Sequence, residues 1–203
     1  MGKPKCLPAL FHLKEKDMAC DLTGGRAKPC KDAVGGIRKI HFVDFGDLGD
    51  VTLTDDEVTN IGGASGALTY HTYDVKGNSS LETNIQTSLE NGTTFFEQVV
   101  NLTLHKLTKE DNKELKLMAF GRPHVFVETF DGSLLLVGRE HGAEVTGGTM
   151  VSGTAMGDLQ GYTLTLTANE TTLPNFVDGA TAADPFAGMA GLTSDAASTQ
   201  RTP

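Results

Sequence analysis

Six histidines, His12, His41, His71, His105, His124 and His141, are the chain's obvious groups for proton transfer or metal binding. They are scattered. No HxxxH or HExxH pattern puts two of them on one helical face, and no His-x-His puts two on one face of a strand. Each is read as an isolated or packed imidazole. Arg139-Glu140-His141 offers a base and an orienting group side by side. Neighbours in a strand point to opposite faces, however, so the trio reads as a charged strand end. Ser65, Ser133 and Ser152 lie near glycines, but none sits in the G-x-S-x-G turn that exposes a nucleophile. Asp44, Asp47 and Asp50 recur every three residues, whereas a calcium loop needs ligands two apart and a closing Glu. Gly62-Gly63-Ala64-Ser65-Gly66 lacks the GK[ST] of a phosphate loop and reads as a turn. Cys6, Cys20 and Cys30 are odd in number and form no CxxC pair, so they are read as reduced thiols rather than zinc ligands or a disulfide framework. The expected catalytic, cofactor and metal sets are therefore empty.

Composition narrows the remaining classes. The 203 residues suit about one domain, with arms. Trp is absent, Gly is abundant at 24, and hydrophobic residues reach 38%, a mixture that favours short strands joined by turns over a helical bundle. A net charge of -9 argues against a surface that grips nucleic-acid phosphates, but not against one that nucleic acid slides past. No apolar run approaches the ~20 residues of a membrane helix, so no membrane segment is expected. Residues 1–17 lack the apolar core of a signal peptide, and Cys6 stands where a myristoylation motif wants Ser or Thr. The sequons at Asn78, Asn91, Asn101 and Asn169 are taken as by-products of a Thr-rich chain.

The elements follow from periodicity. Residues 1–36 lack it and are expected to form an extended arm. Ile37 to Phe45 is apolar on both faces, which predicts a strand buried on both sides. Asp55, Asp56 and Glu57 suit either a helix start or a solvated loop. Ala67 to Asp74 and Ser80 to Ser88 are expected to pair as a hairpin. The second of these is polar for a strand, with Glu82, Asn84, Gln86 and Ser88 on one face, which predicts a face open to water or to a hydrated channel. Thr94 to Leu107 is a long strand with Glu97, Asn101, Thr103 and His105 on its polar face, a pattern that Phe95 and Val99 interrupt. Thr108 to Phe120 is the one helix, with a Thr108/Asp111 cap, an apolar stripe of Leu115, Met118 and Ala119, and a stop at Gly121 and Pro123. Asp131-Gly132 between apolar runs predicts a hairpin over 124–139. Gly142 to Gly161 reads as a connector or assembly loop containing Gly147, Gly148, Gly153, Gly157 and Gly161. Tyr162 to Glu170 alternates strictly and predicts a strand with one buried face. Residues 177–203 are too poor in large apolar groups to form a core of their own, so the domain is drawn over 37–176, followed by a flexible tail or inter-subunit arm.

Two stretches carry a resemblance. One is Gly142-Ala143-Glu144-Val145-Thr146-Gly147-Gly148-Thr149 with Ser152-Gly153 and the run Gly157 to Leu166. The other runs from Cys20-Asp21-Leu22-Thr23-Gly24-Gly25-Arg26 to Val34-Gly35-Gly36-Ile37. Together they resemble the tail tube, or major tail, proteins of tailed bacteriophages over roughly residues 20–175. The motifs are Gly/Thr patterns and carry no catalytic residue across. The resemblance implies a mainly β, sandwich- and barrel-forming domain with one flanking helix and extended terminal arms. It implies a non-enzymatic virion component assembled in the host cytoplasm as stacked hexameric rings. Its partners would be further copies, other tail and neck proteins, and double-stranded DNA in transit. Glu82, Asn84, Gln86, Glu97 and Asn101 are then expected to face the lumen. The rival expectations are another phage part (terminator, neck or head-decoration protein) or a β-rich hydrolase or binding module.

Overall fold

The computed structural model describes residues 24–28, 31, 34–62, 69–75, 77–181, 184–187 and 189. The chain divides into two units, Met1–Asp32 and Ala33–Pro203. In the first, Gly24 to Lys28 and Lys31 are exposed and form neither helix nor strand; the rest of the expected N-terminal arm, with Cys6, Cys20, Cys30 and His12, lies outside the described residues.

The second unit is mainly β. Its strands are β1 (Ile37–Val43), β2 (Asp50–Thr54), β3 (Glu57–Gly62), β4 (His71–Asp74), β5 (Ser80–Ser88), β6 (Thr93–His105), β7 (His124–Thr129), β8 (Leu134–Val137), β9 (Glu144–Val151), β10 (Gly161–Glu170) and β11 (Asn175–Val177). The helix α1 (Lys109–Phe120) stands between β6 and β7. The strands build a seven-stranded sheet, ordered β2-β3-β11-β8-β7-β1-β4, and a four-stranded sheet, ordered β5-β6-β10-β9. All pairings are antiparallel except β11 with β3.

Alternation explains which faces meet. Residues directly opposite in an antiparallel pair share a face. Ile40 and Phe42 of β1 lie opposite Val127 and Val125 of β7. On the smaller sheet, Leu102 and Val100 of β6 lie opposite Leu164 and Leu166 of β10. All of these except Leu164 are buried in one cluster, with Leu164 packed against it, so the two sheets share a core. The opposite face of the seven-stranded sheet is also covered. Val43, Phe126, Leu134 and Leu136 there meet Leu48, Val58, Ile61 and Tyr70, together with Val177, Phe186 and Met189. The strand predicted to be buried on both sides is thus buried on both sides, by two different cores.

Three features differ from the sequence reading, and one more settles a choice that it left open. Strands β4 and β5 do not form a hairpin: β4 pairs with β1 in the large sheet and β5 with β6 in the small one. The link between them crosses from sheet to sheet, anchored by buried Val75 and by Thr103, whose N–H and hydroxyl donate to Ser79 Oγ and the Asn78 carbonyl at 3.2 Å each. Crossing lets Tyr73 pack against the core while β5 keeps its polar face wet. Of the two settings read for Asp55 and Asp56, the solvated loop holds: both are exposed and neither starts a helix. Both adopt positive φ (53° and 64°), closing β2 and β3 in a two-residue turn that Asp tolerates. Much of the expected connector is strand: β9 runs through Gly147 and Gly148 and pairs with β10. Finally, the boundary at 176 falls inside the domain. Phe176 pairs with Glu57 and Leu135, and Val177, Phe186 and Met189 are buried, so the described part of the expected tail packs on the large sheet of its own chain.

The helix is as expected at its start. Thr108 accepts from the Asp111 N–H at 3.0 Å. Gly121 ends it with extended backbone, its N–H shared between the Leu117 and Met118 carbonyls. Only Leu115 of the stripe is buried; Met118 packs partly and Ala119 is exposed. Among the described residues no helix is long and apolar enough to cross a membrane.

Candidate assembly surface

The face of the four-stranded sheet turned away from the shared core is built from the odd-numbered positions of β6 and β10. On β6 it carries Phe95, Glu97, Val99, Asn101, Thr103 and His105, and on β10 Thr163, Thr165, Thr167 and Asn169. Register places Ser80, Glu82, Asn84 and Gln86 of β5 opposite Asn101, Val99, Glu97 and Phe95. All five residues expected to face a channel, Glu82, Asn84, Gln86, Glu97 and Asn101, therefore lie on one face, although the hairpin expected to carry three of them does not exist. Phe95 and Val99 sit on this face too, which is why they broke the alternation.

The face is laced together by side chains. Asn84 Nδ2 donates to Glu97 at 3.4 Å, and Asn101 accepts from the Thr165 hydroxyl at 3.0 Å. Hydroxyl pairs Thr149–Thr163 and Thr146–Thr167 stand at 2.6 and 2.9 Å. Such cross-strand contacts fix register and leave the surface hydrated. The strands of this sheet contain neither Lys nor Arg, and Glu82, Glu97 and Glu144 give its open face a negative sign.

The glycines of the expected assembly loop do different things. Gly161 starts β10, where a Cβ would land on the Leu104 carbonyl oxygen. Gly148 lies in β9 against Thr163 and Leu164, where a Cβ would stand 2.8 Å from the Thr163 oxygen. Gly147 and Gly157 face open space. Gly153 has φ +74° and opens the connector between β9 and β10. That connector is organised by Asp158, whose Oδ2 accepts from the N–H and hydroxyl of Thr154 and the N–H of Ala155. These donors, Ala155 first, hold the Asp158 carboxyl below its ordinary pKa.

Buried polar groups also lie away from this face. Glu170 Oε1 accepts from the N–H groups of Glu140 and His141 at 3.0 and 2.9 Å, and its other oxygen lies 3.3 Å from His141 Nδ1. Glu140, His141 and Glu170 bring ligand-type atoms within 4.8 Å of one another. Arg139 already supplies a cation 2.6 Å from Glu140, so the arrangement serves as a latch on the turn after β8. Arg139-Glu140-His141 thus belongs to a turn, not to a strand end. His124 donates from Nδ1 to the Gly138 carbonyl at 2.6 Å, and burial holds its pKa down. His41 lies against Thr72 (3.0 Å) and the edges of Tyr70 and Phe186. Burial, helped by Lys39, lowers its pKa to about 4, so the ring is neutral at ordinary pH and its 3.7 Å approach to Glu128 is not an ion pair. Burial raises the Glu128 pKa, against the pull of Arg38, which pairs with it at 3.2 Å. Nothing in the local sequence pattern marks Glu128 or Gln98 as buried groups, yet both are. Gln98 ties the sheets together, donating to the Thr172 carbonyl and accepting from the Gly138 N–H.

No family model matches the chain, and neither a curated protein nor a solved structure does.

Proposed function

We propose that the protein is a non-enzymatic virion component that builds a phage tail tube. Its sandwich of two sheets would assemble into closed, hexameric rings that stack head to tail around a channel for double-stranded DNA. The observation that carries this reading is the open face of the four-stranded sheet: broad, hydroxyl- and amide-rich, acidic at Glu82, Glu97 and Glu144, and without a cation in any of its strands. A channel with that lining repels phosphates and lets DNA pass without sticking. The strands at its two edges, β5 and β9, contain neither Pro nor Lys, the residues that usually discourage strand addition. They run in opposite directions, so β5 of one subunit can continue the antiparallel sheet at β9 of the next. Heterologous contacts of this kind close into rings. Further partners would be tail and neck proteins at the ends of the tube, with assembly in the host cytoplasm.

Negative-stain microscopy of the purified protein at rising concentration tests the proposal. Long tubes with a stain-filled channel support it. Single rings that never stack point to a terminator instead, and a monomer at every concentration refutes it.

A further inference from the structure

One dipeptide of the chain carries chemistry that the tube reading does not use. Asn91-Gly92 is the only Asn-Gly in the sequence, and it lies at the tip of the β5–β6 hairpin. Ser88 and Thr93 are the last paired residues, so residues 89–92 make the turn. Asn-Gly suits such a turn because Gly92 takes a positive φ of 62°. Strand β10 ends at Glu170, opposite Phe96, so the hairpin runs on past it, and β5 is the edge of its sheet. Residues 89–95 are all exposed.

Two features make this tip reactive. The side-chain amide of Asn91 is not held: the residue's backbone N–H donates to Ser88 Oγ at 3.3 Å, and no hydrogen bond among the described residues engages its side chain. The next backbone nitrogen belongs to glycine. Gly92 has no Cβ, and open space lies where one would stand, so nothing shields that nitrogen from Asn91 Cγ. Asparagine is among the thermally labile residues, and a change at an exposed loop tip is tolerated by the fold.

The other asparagines lack this combination. Asn60, Asn84, Asn101, Asn112, Asn169 and Asn175 precede Ile, Leu, Lys, Glu or Phe and lie inside strands or the helix, where backbone hydrogen bonds hold the chain. Asn78 precedes Ser79, and Thr103 ties down both: its hydroxyl donates to the Asn78 carbonyl and its N–H to Ser79 Oγ, each at 3.2 Å. Asp131-Gly132 and Asp178-Gly179 carry carboxylates, which are poorer electrophiles than an amide at neutral pH. Asp131 is also bound to Thr129 and Ser133.

We propose that Asn91 is a self-modification site whose co-reactant is water. The Gly92 nitrogen attacks Asn91 Cγ, and its proton passes through water to the leaving nitrogen. The bond from Cγ to the side-chain nitrogen breaks and ammonia departs. The five-membered succinimide left behind is opened by water at either carbonyl carbon. Opening at Cγ gives aspartate; opening at the main-chain carbonyl gives isoaspartate, with the chain running through Cγ. Either product sets a new carboxylate beside Glu90. Isoaspartate also lengthens the turn by one backbone atom, against the Ser88–Thr93 closure.

Incubating the folded full-length protein at mildly alkaline pH, and following every asparagine by peptide mass spectrometry, tests the proposal. The peptide carrying Asn91 should gain about 1 Da, as NH2 is exchanged for OH, ahead of every other asparagine. It should split on chromatography into aspartate and isoaspartate forms, and the gain should be faster at higher pH, where the attacking nitrogen loses its proton more readily. Asn91→Gln, whose longer side chain must close a six-membered ring, should lose the gain at this position. Asn91→Asp marks where the aspartate form elutes. The same chain unfolded in urea gives the rate without the fold. An Asn91 that survives in the folded chain but not in the unfolded one would overturn the proposal, because the turn would then protect it. Modification led by another asparagine, or an Asn91 intact in both states, would overturn it too. Assembly does not enter these readouts, so the tube reading stands or falls separately.

Discussion

His41 shows how much of this protein's residue chemistry is spent on packing. Its ring is buried between Tyr70 and Phe186, and its pKa lies near 4, below the ordinary 6.5. Between those values the unfolded chain takes up a proton that the folded chain refuses. The stabilisation from His41 is therefore full above about pH 6.5 and is lost as pH falls toward 4, by about 3 kcal/mol in all. Glu128 works in the other sense, since its raised pKa favours the fold at low pH and the benefit fades as pH rises through that value. Urea unfolding of His41→Gln should show a flatter pH dependence between 4 and 6.5 than the wild type. The glycines give a second residue-scale contrast. Gly161→Ala forces a Cβ into the Leu104 carbonyl and should cost about 2 kcal/mol or more, whereas Gly157→Ala meets open space and should leave the melting temperature almost unchanged. From sequence these glycines looked alike. Only the distance to a neighbouring strand separates them, and glycine has no side chain through which periodicity could report it.

At the scale of elements, local signals were readable and pairing was not. The α1 cap was legible because Thr108 and Asp111 interact through the backbone between them. Thr108→Ala should cost about 1 kcal/mol, measured as a fall in the urea midpoint with an unchanged slope. The Asp131-Gly132 hairpin and the alternation of β10 were legible for the same reason. Alternation also sorted the faces of β5 and β6 correctly, so Glu82, Asn84, Gln86, Glu97 and Asn101 were rightly grouped. What failed was the choice of partner. Strand β4 leaves β5 for β1 because burying Tyr73 requires the other sheet, and no short-range pattern records that choice. Strand β9 was read as a loop because Gly147, Gly148 and two threonines lack the large apolar groups that usually mark a strand; its partner β10 supplies them instead.

At the scale of the whole molecule, the two sheets divide the labour. The seven-stranded sheet is covered on both faces and holds the fold, whereas the four-stranded sheet keeps one face in water. The C-terminal segment belongs to the first task. Phe186 packs on Phe126 and Tyr70 with ring centroids 5.0 and 4.7 Å apart, so Phe186→Ala should destabilise by about 4 kcal/mol in thermal or urea unfolding. Composition hid this, because a few anchors in an Ala/Gly/Thr-rich segment suffice when the apolar surface they cover belongs to the sheet. The second task is the proposed one, in which the wet face becomes the wall of a channel. Cryo-electron microscopy of the assembled protein tests that claim most directly. The expected result is a tube whose inner wall is the four-stranded sheet, with Glu82, Asn84, Gln86, Glu97 and Asn101 pointing into the channel. A tube that carries those residues on its outer surface, or an assembly without a channel, would contradict it.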